Sequence, residues 1–541
     1  MLGVGWGGNE RIRFSSLVGS RGLGLGGDRG WEQAHDNRSR WSRSLFLPSL
    51  AALVVAGWNR QNQGAVAADG RKPNGFSWND RHSRDNDSNN RRIDGIAFMT
   101  TPKIIVLDDD PTGSQTVHSC LLLMQWDVDT LRLGLADAAP IFFVLTNTRA
   151  LPPEQAAAVT RDVCRNLKTA IALEHIHDFL VVSRSDSTLR GHYPIETDVI
   201  AAELGPFDAH FLTPAFFEGG RTTRDSVHYL KVNGVDTPVH ETEFARDSVF
   251  GYHHSYLPDY VAEKTKGRIP AHQVERFTLA DIRQGVRDRL LHLHHNQCGV
   301  VDAETQQDLN QFAADILATA AQGKRFLFRS AASLLTALAQ LPPQPIAPAA
   351  MATYVRAGQP GAVIVGSHVK KTSEQLEQLL AQPGVVGIEV PVAELLEHPE
   401  TAAATLLATV TQQTHAAHAA GKTPVVYTSR TELTFDDVQT RLDFGAAVSQ
   451  LLMDILQQLP ADIGFLISKG GITSNDTLSQ GLALRTARLL GQVLPGVSMV
   501  RSPDTHPQFP NLPVVLFPGN VGEASGLATV YQRLSSAAAL H

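Results

Sequence analysis

The chain is poor in cysteine: Cys120, Cys164 and Cys298 are widely spaced among 541 residues. An odd, scattered set supports neither a disulfide framework nor a zinc knuckle, so a reducing, cytoplasmic compartment is expected. Positive charge is not in excess either, with 47 Lys and Arg against 54 Asp and Glu and a formal net charge of −7. Nucleic-acid binding through clustered cations is therefore not expected, and small-molecule partners are. The apolar stretch 44–57 is too short to span a bilayer, contains Pro48 and lies far from Met1 for an export signal, although Ala65-Val66-Ala67 imitates a cleavage region. No membrane association is expected.

What is present suits folded domains, with 43% hydrophobic and 19% charged residues. The charge is divided unevenly. Residues 1–98 hold 14 Lys and Arg against 9 Asp and Glu, whereas the remainder holds 33 against 45. Five of the six tryptophans (Trp6, Trp31, Trp41, Trp58, Trp78) also fall in the first part, among Gly-, Arg- and Asn-rich stretches without a sustained period of 2 or 3.6. Residues 1–98 therefore read as a disordered extension, or as the product of a start assigned upstream of Met99.

From Lys103 onward, short β-branched runs alternate with helical stretches, the mark of α/β layers with largely parallel sheets. Strands are expected at 103–107, 141–145, 179–182, 210–213, 299–302 and 325–328, with helices at 153–173, 194–204, 279–293, 304–321 and 330–340. The Pro-rich stretch Leu341-Pro342-Pro343-Gln344-Pro345 then interrupts the pattern. Beyond it, strands are expected at 362–365, 384–390, 423–427, 463–467, 497–500 and 514–517, with helices at 371–382, 402–419, 434–458 and 476–491. The expectation is two α/β domains, 99–340 and 361–541, joined by a linker at 341–360, with a cleft between them.

Chemistry-bearing residues gather at strand ends, where open α/β sheets bind ligands. Asp108-Asp109-Asp110-Pro111-Thr112-Gly113 follows the first strand. Three adjacent carboxylates repel one another and commonly need a cation, an Arg or Lys partner, or a proton shared with substrate. Ser183-Arg184-Ser185-Asp186-Ser187-Thr188-Leu189-Arg190-Gly191 follows another strand. Its cations, hydroxyls and carboxylate suit a small polyhydroxy acid, Arg pairing with the acid and Asp accepting from the hydroxyls. Thr146–Arg149, Thr213–Phe216 and Thr242–Asp247 could line the same cleft. His292, His294 and His295, near Cys298, end a helix and are read as structural, with no metal site expected.

In the second domain three small-residue loops leave strands: Gly366-Ser367, Gly470-Gly471-Ile472-Thr473-Ser474 and Gly519-Asn520-Val521-Gly522. Such loops admit phosphate close to backbone N–H groups. Neither a P-loop nor a Gly-x-Gly-x-x-Gly fingerprint occurs there, so any nucleotide is bound by another scheme.

Taken in order, Asp-Asp-x-Thr-Gly, with Pro111 at x (109–113), Asp-Ser-Thr-Leu-Arg-Gly (186–191) and the three Gly loops resemble the four-carbon acid sugar kinase family over about residues 103–535. That resemblance implies an N-terminal sugar-acid-binding domain, a C-terminal nucleotide-binding domain, and ATP with Mg²⁺ as cofactors. It places Asp109, Asp186 and Arg190 at the sugar acid as catalytic residues, with Asp108, Asp110, Thr112, Gly113, Arg184, Ser187 and Thr188 around them. Ser367, Gly470, Gly471, Ile472, Thr473 and Gly519 would contact ATP. Ile472 stands where relatives often have an acidic residue, and the third aspartate and Pro111 enlarge the first motif.

The implied chemistry is phosphoryl transfer by positioning and electrostatics, with Asp109, then Asp186, as the carboxylate that deprotonates the attacking hydroxyl, and Arg190 or Lys469 as the neutralising cation. Two other readings use the same residues. Asp108-x-Asp110-x-Thr112 with Val144-Leu145-Thr146-Asn147 imitates a haloacid-dehalogenase-like phosphatase with Asp108 as nucleophile, and a non-catalytic sugar-acid sensor would bind without turnover. An apolar helix stripe could serve a homodimer.

Overall fold

The computed structural model describes residues 102–536 except 398, 431, 432, 436 and 520. The segment 1–98 and its apolar stretch lie outside the described residues, as does Asn520 of the last Gly loop.

Eighteen strands are present among the described residues. In the first half they are β1 (Lys103–Asp108), β2 (Leu121–Leu123), β3 (Ile141–Leu145), β4 (Phe179–Arg184), β5 (Ala209–Thr213) and β6 (Arg221–Arg224). They continue as β7 (Val227–Val232), β8 (Val235–Pro238), β9 (Glu275–Phe277), β10 (Gln297–Val301) and β11 (Phe326–Ser330). The second half adds β12 (Ala362–Val365), β13 (Val385–Val390), β14 (Thr423–Thr428), β15 (Leu466–Lys469), β16 (Thr486–Leu494), β17 (Val497–Arg501) and β18 (Pro513–Phe517).

Fifteen of these form one sheet in the order β13-β14-β12-β15-β18-β17-β16-β2-β3-β1-β4-β11-β5-β10-β9. Pairing is parallel throughout except along β18, β17, β16 and β2, where it is antiparallel. Each half is thus α/β with a largely parallel sheet, as the alternation of runs indicates. The structure adds the junction: β2 from the first half pairs with β16 from the second, with Leu122 opposite Ala487. Arg488, 2.6 Å from Asp137, and Arg485, 3.1 Å from Asp127, clamp the same seam.

β1, β3, β4, β5 and β11 are almost wholly buried apolar runs, as strands covered by helices on both faces must be. Pro153 opens the helix Pro153–Leu173, and Thr305 with Asp308 forms a capping box at the start of Gln306–Ala320. The stretch 341–360 is not a free tether. Met351 is fully buried in the second-half core, and Gln344 bonds the backbone of Gln492.

Two expected helices differ. The one expected at 279–293 is broken into Leu279–Gln284 and Arg287–His292 by Gly285, whose φ of +96° no helix tolerates. The one expected at 476–491 is Gly471–Asp476 followed by a wider turn, Thr477–Gly481, and then β16. With a register shift at Leu489–Gly491, three consecutive residues are buried, Leu489 in one core cluster and Leu490 in another, which masks the two-residue alternation that would reveal a strand. The antiparallel excursion β6-β7-β8 was not expected either, because its short strands are only half-buried.

Candidate functional site

β1 lies between β3 and β4, and its register sets Asp108 opposite Leu145 and Arg184. The carboxylate cluster therefore emerges beside a cation carried by the neighbouring strand. Arg184, itself buried, approaches Asp108 at 3.4 Å and Asp109 at 3.9 Å. Arg149, from the turn after β3, forms an ion pair with Asp109 and lies 3.3 Å from Asp110. Asp109 also accepts the Ser185 hydroxyl at 2.6 Å. Asp110 accepts from the Thr112 backbone at 2.8 Å and from its hydroxyl. Burial opposes the Asp110 charge, but Arg149, Arg184 and the Thr112 bonds outweigh it and hold the carboxyl below its ordinary value.

Asp108 meets the repulsion differently. It is fully buried, and its Oδ2 has no hydrogen-bond partner. Burial pushes its pKa up to about 7; Arg184 resists, and Asp109 and Asp110 add to the rise. Gly113 packs directly on it, so a methyl there would overlap both carboxylate oxygens. The cluster thus pairs with two arginines, while burial holds the Asp108 pKa at about 7. Because the folded value lies above the unfolded one, Asp108 favours folding only while protonated, and that contribution is lost as pH rises from about 4 through about 7. Asp108→Asn is expected to raise Tm relative to wild type near pH 8, by up to ~3 kcal/mol in stability, and by much less near pH 4. Thermal melts at the two pH values check this; an equal shift at both would contradict it.

The second loop leaves β4. Arg190 lies 2.7 Å from Asp186, which also accepts the Thr188 hydroxyl. Burial disfavours the Asp186 charge, yet Arg190 and Arg149 more than compensate and hold the carboxyl far below its usual range. The Arg190 guanidinium sits 4.9 Å over the Phe244 ring and 3.5 Å from Asp247, which brings the 242–247 segment to the same cleft. Ser187 and Thr188 are buried within the loop. Thr148 donates to Glu196 at 2.5 Å and the Thr146 hydroxyl to the Asp108 carbonyl at 3.0 Å, so both brace the site from beneath. Thr213, at the end of β5, keeps a buried hydroxyl without a partner.

Arg329, at the end of β11, ties this floor together. It donates to Ser183 at 2.7 Å, Ser185 at 2.6 Å and Glu196 at 2.6 Å. Gly191, with φ of +118°, passes so close that a side chain would overlap Ser185 and crowd Arg329. A cavity of about 20 Å³, lined by residues including Asp186, Arg190, Arg329 and Ser330, leaves room for one water-sized group.

On the other side, the three Gly loops converge. A methyl on Gly366 would overlap the Thr473 hydroxyl, and one on Gly470, whose φ is +118°, would lie 3.2 Å from Ser367 Cβ. Gly519 faces the same Ser367 hydroxyl, at 3.9 Å from its Cβ position. Thr372 donates to Ser367 Oγ at 3.3 Å. The result is a cradle of bare backbone from three strand ends, β12, β15 and β18. Ile472, 72% exposed, projects from its rim.

Lys469 does not point into the cleft, contrary to its expected role as a neutralising cation. Its side chain is fully buried, with Nζ donating to the carbonyls of Pro518 (2.5 Å) and Gly519 (3.1 Å), 4.4 Å from the Phe517 ring centroid. Burial, with Lys371 nearby, lowers its pKa to about 7. Arg430 also stands at this cradle, donating to the Ser367 carbonyl at 2.7 Å. Arg329, Glu196 and Arg430 were missed from sequence. Arg329 and Arg430 sit at or just beyond strand ends, the signal that located the other loops.

The two groups of loops share one cleft: a methyl on Gly471 would lie 3.4 Å from Asp110 Oδ2. Among the described residues, no helix is long and apolar enough to cross a membrane.

Residues 104–338 match the family of sugar-binding N-terminal domains and residues 362–527 the family of nucleotide-binding C-terminal domains. A D-threonate kinase of Bordetella bronchiseptica is 30% identical over 194 residues, which cover 34% of this chain and 45% of that relative. The matched segment is thus less than half of that protein. Among solved structures, a Salmonella typhimurium LT2 protein described as a tRNA synthase aligns with a TM-score of 0.59 at 18% identity, over 80% of this chain and 98% of its own. A Haemophilus influenzae protein of the DUF1537 family aligns at 0.54, also at 18% identity, over 80% of this chain and all of its own. These structures share the fold. With both domains matched in order, on either side of the cleft just described, the chain belongs to the four-carbon acid sugar kinase family.

Proposed function

We propose that the protein is an ATP-dependent kinase that phosphorylates a hydroxyl of a four-carbon sugar acid of the threonate, erythronate or 3-oxo-tetronate type. The observation that carries this reading is the close approach of Gly471, in the Gly-loop cradle, to Asp110, in the carboxylate cluster, where a methyl added to Gly471 would lie 3.4 Å from Asp110 Oδ2. A phosphoryl donor held by one group of loops would meet an acceptor held by the other.

Ser367, Gly470, Gly471, Thr473 and Gly519 would hold the triphosphate, whose close approach requires backbone without side chains. Ile472 would cover it from the rim. Mg²⁺ commonly keeps several waters and takes only one or two protein carboxylates beside phosphate oxygens, a need that Asp110 at the shared edge can meet. Bound there, the metal nucleotide supplies the phosphoryl group and neutralises its charge. Arg190, ordered by Asp186 and Phe244, pairs with the acid's carboxylate. Asp186 stays ionised and accepts substrate hydroxyls. Asp109, fixed by Arg149 and Ser185, takes the proton of the attacking hydroxyl. An aspartyl-phosphate on Asp108 is disfavoured by its burial under Gly113 and by its raised pKa.

The test is phosphorus NMR of the full chain with ATP, Mg²⁺ and a panel of threonates, erythronates and 3-oxo-tetronates. A new phosphomonoester resonance growing as ADP appears is expected and identifies the substrate. Unchanged ATP across the panel, with folded protein, would overturn the proposal. The cradle has its own check: Gly366→Val is expected to weaken ATP binding by about tenfold or more while sparing sugar-acid binding, measured by titration calorimetry.

A further inference from the structure

The backbone of the Asp186–Arg190 loop is held in an unusual way. Three consecutive carbonyls each accept one hydrogen bond from a different side chain of a single excursion, residues 221–260. His228 Nε2 lies 2.8 Å from the Ser187 carbonyl, Tyr252 donates to Thr188 at 2.7 Å and Tyr260 to Leu189 at 2.7 Å. The next carbonyl, of Arg190, lies 3.0 Å from the Ser185 hydroxyl.

All three side chains are buried, so their bonds are not exchanged with solvent. His228 Nδ1 lies 2.9 Å from the Thr223 hydroxyl, and burial lowers its pKa to about 4, so the ring is neutral and accepts at Nδ1 while Nε2–H donates to the loop. Thr223 is itself tied to the body of the domain through paired backbone bonds with Ala303. Tyr260 packs between Tyr193 and Tyr252, with ring centroids 6.0 and 5.6 Å away, which fixes the direction of its hydroxyl.

The consequence lies on the other side of the peptides. Because each peptide is planar and trans, turning its carbonyl toward the excursion turns the following N–H the opposite way. Leu189 takes a φ of +66° to make this possible. Among the described residues, the N–H groups of Thr188, Arg190 and Gly191 donate to no protein acceptor. With the Leu189 N–H donating to the Asp186 carbonyl at 3.2 Å, these three remain as backbone donors for an anionic ligand.

We infer that His228, Tyr252 and Tyr260 are positioning residues that set the Asp186–Arg190 loop for sugar-acid binding, so that the 221–260 excursion acts on the acceptor side of the reaction alone. The link to the sugar acid rests on the kinase reading; the hold on the loop does not. Tyr252→Phe/Tyr260→Phe removes two hydroxyls and keeps the rings. It is expected to speed amide hydrogen exchange at 187–191 but not in β1, and to raise KM for the sugar acid about tenfold with KM for ATP unchanged. His228→Ala should do the same, and His228→Gln, which keeps a donor, should recover part of the loss.

Unchanged loop exchange in the double variant would overturn the inference. An equal rise in both KM values would overturn it as well, since that marks general loosening. If the wild-type chain turns over no sugar acid, the kinase reading fails, and the exchange measurement still decides whether the excursion holds the loop.

Discussion

Asp109→Asn is expected to lower kcat by about three orders of magnitude while leaving ATP affinity unchanged. The size follows from the role: a general base contributes roughly a hundred- to ten-thousand-fold, and asparagine cannot take a proton. The selectivity follows from place. Asp109 is almost fully buried in the first-half floor, and among the described residues its side-chain hydrogen bonds and ion pairs run to Arg149, Arg184 and Ser185. Steady-state kinetics paired with titration calorimetry for ATP would check both parts. A variant retaining turnover within about tenfold of wild type would transfer the base to Asp186.

Arg329→Ala is expected to destabilise the protein by ~3–5 kcal/mol, read from chemical denaturation. Arg329 is buried and is the cation paired with Glu196, which is buried as well. Its removal leaves Glu196 with only the Thr148 hydroxyl and takes donors from Ser183 and Ser185. Breaking a buried pair from one side leaves an uncompensated charge, which costs more than the pair contributed. Adding Glu196→Gln should therefore recover a substantial part of the loss. A cost below about 1 kcal/mol for the single variant would show that water reaches Glu196 and that the floor is not closed.

Much of the site was legible before the structure because the chemistry sits at strand ends. Asp108–Asp110, Arg184–Arg190, Ser367 and Gly470–Thr473 each directly follow a short apolar run, and buried parallel strands read as such runs. Repulsion among three aspartates predicted a cationic partner, and two arginines meet it: Arg149 pairs with Asp109 and Asp110, and Arg184 approaches Asp108 and Asp109. Arg329 and Arg430 escaped notice because each is a lone cation at a strand end, without neighbours in sequence that repeat the signal. Lys469 was misplaced because a strand-end lysine looks the same whether it faces the cleft or turns beneath a loop to bond carbonyls.

The sequence by itself determined the α/β alternation, the two halves and the residue types brought to each strand end, since burial period and turn chemistry are local properties of the chain. Only the tertiary structure decided which strand ends meet. The pairing of β2 with β16 joins residues separated by more than three hundred positions, and the bulge in β16 hides its alternation. The bonds from His228, Tyr252 and Tyr260 to the Asp186–Arg190 loop likewise depend on where an irregular excursion folds back. Such contacts are set by packing between distant segments, and no local periodicity announces them.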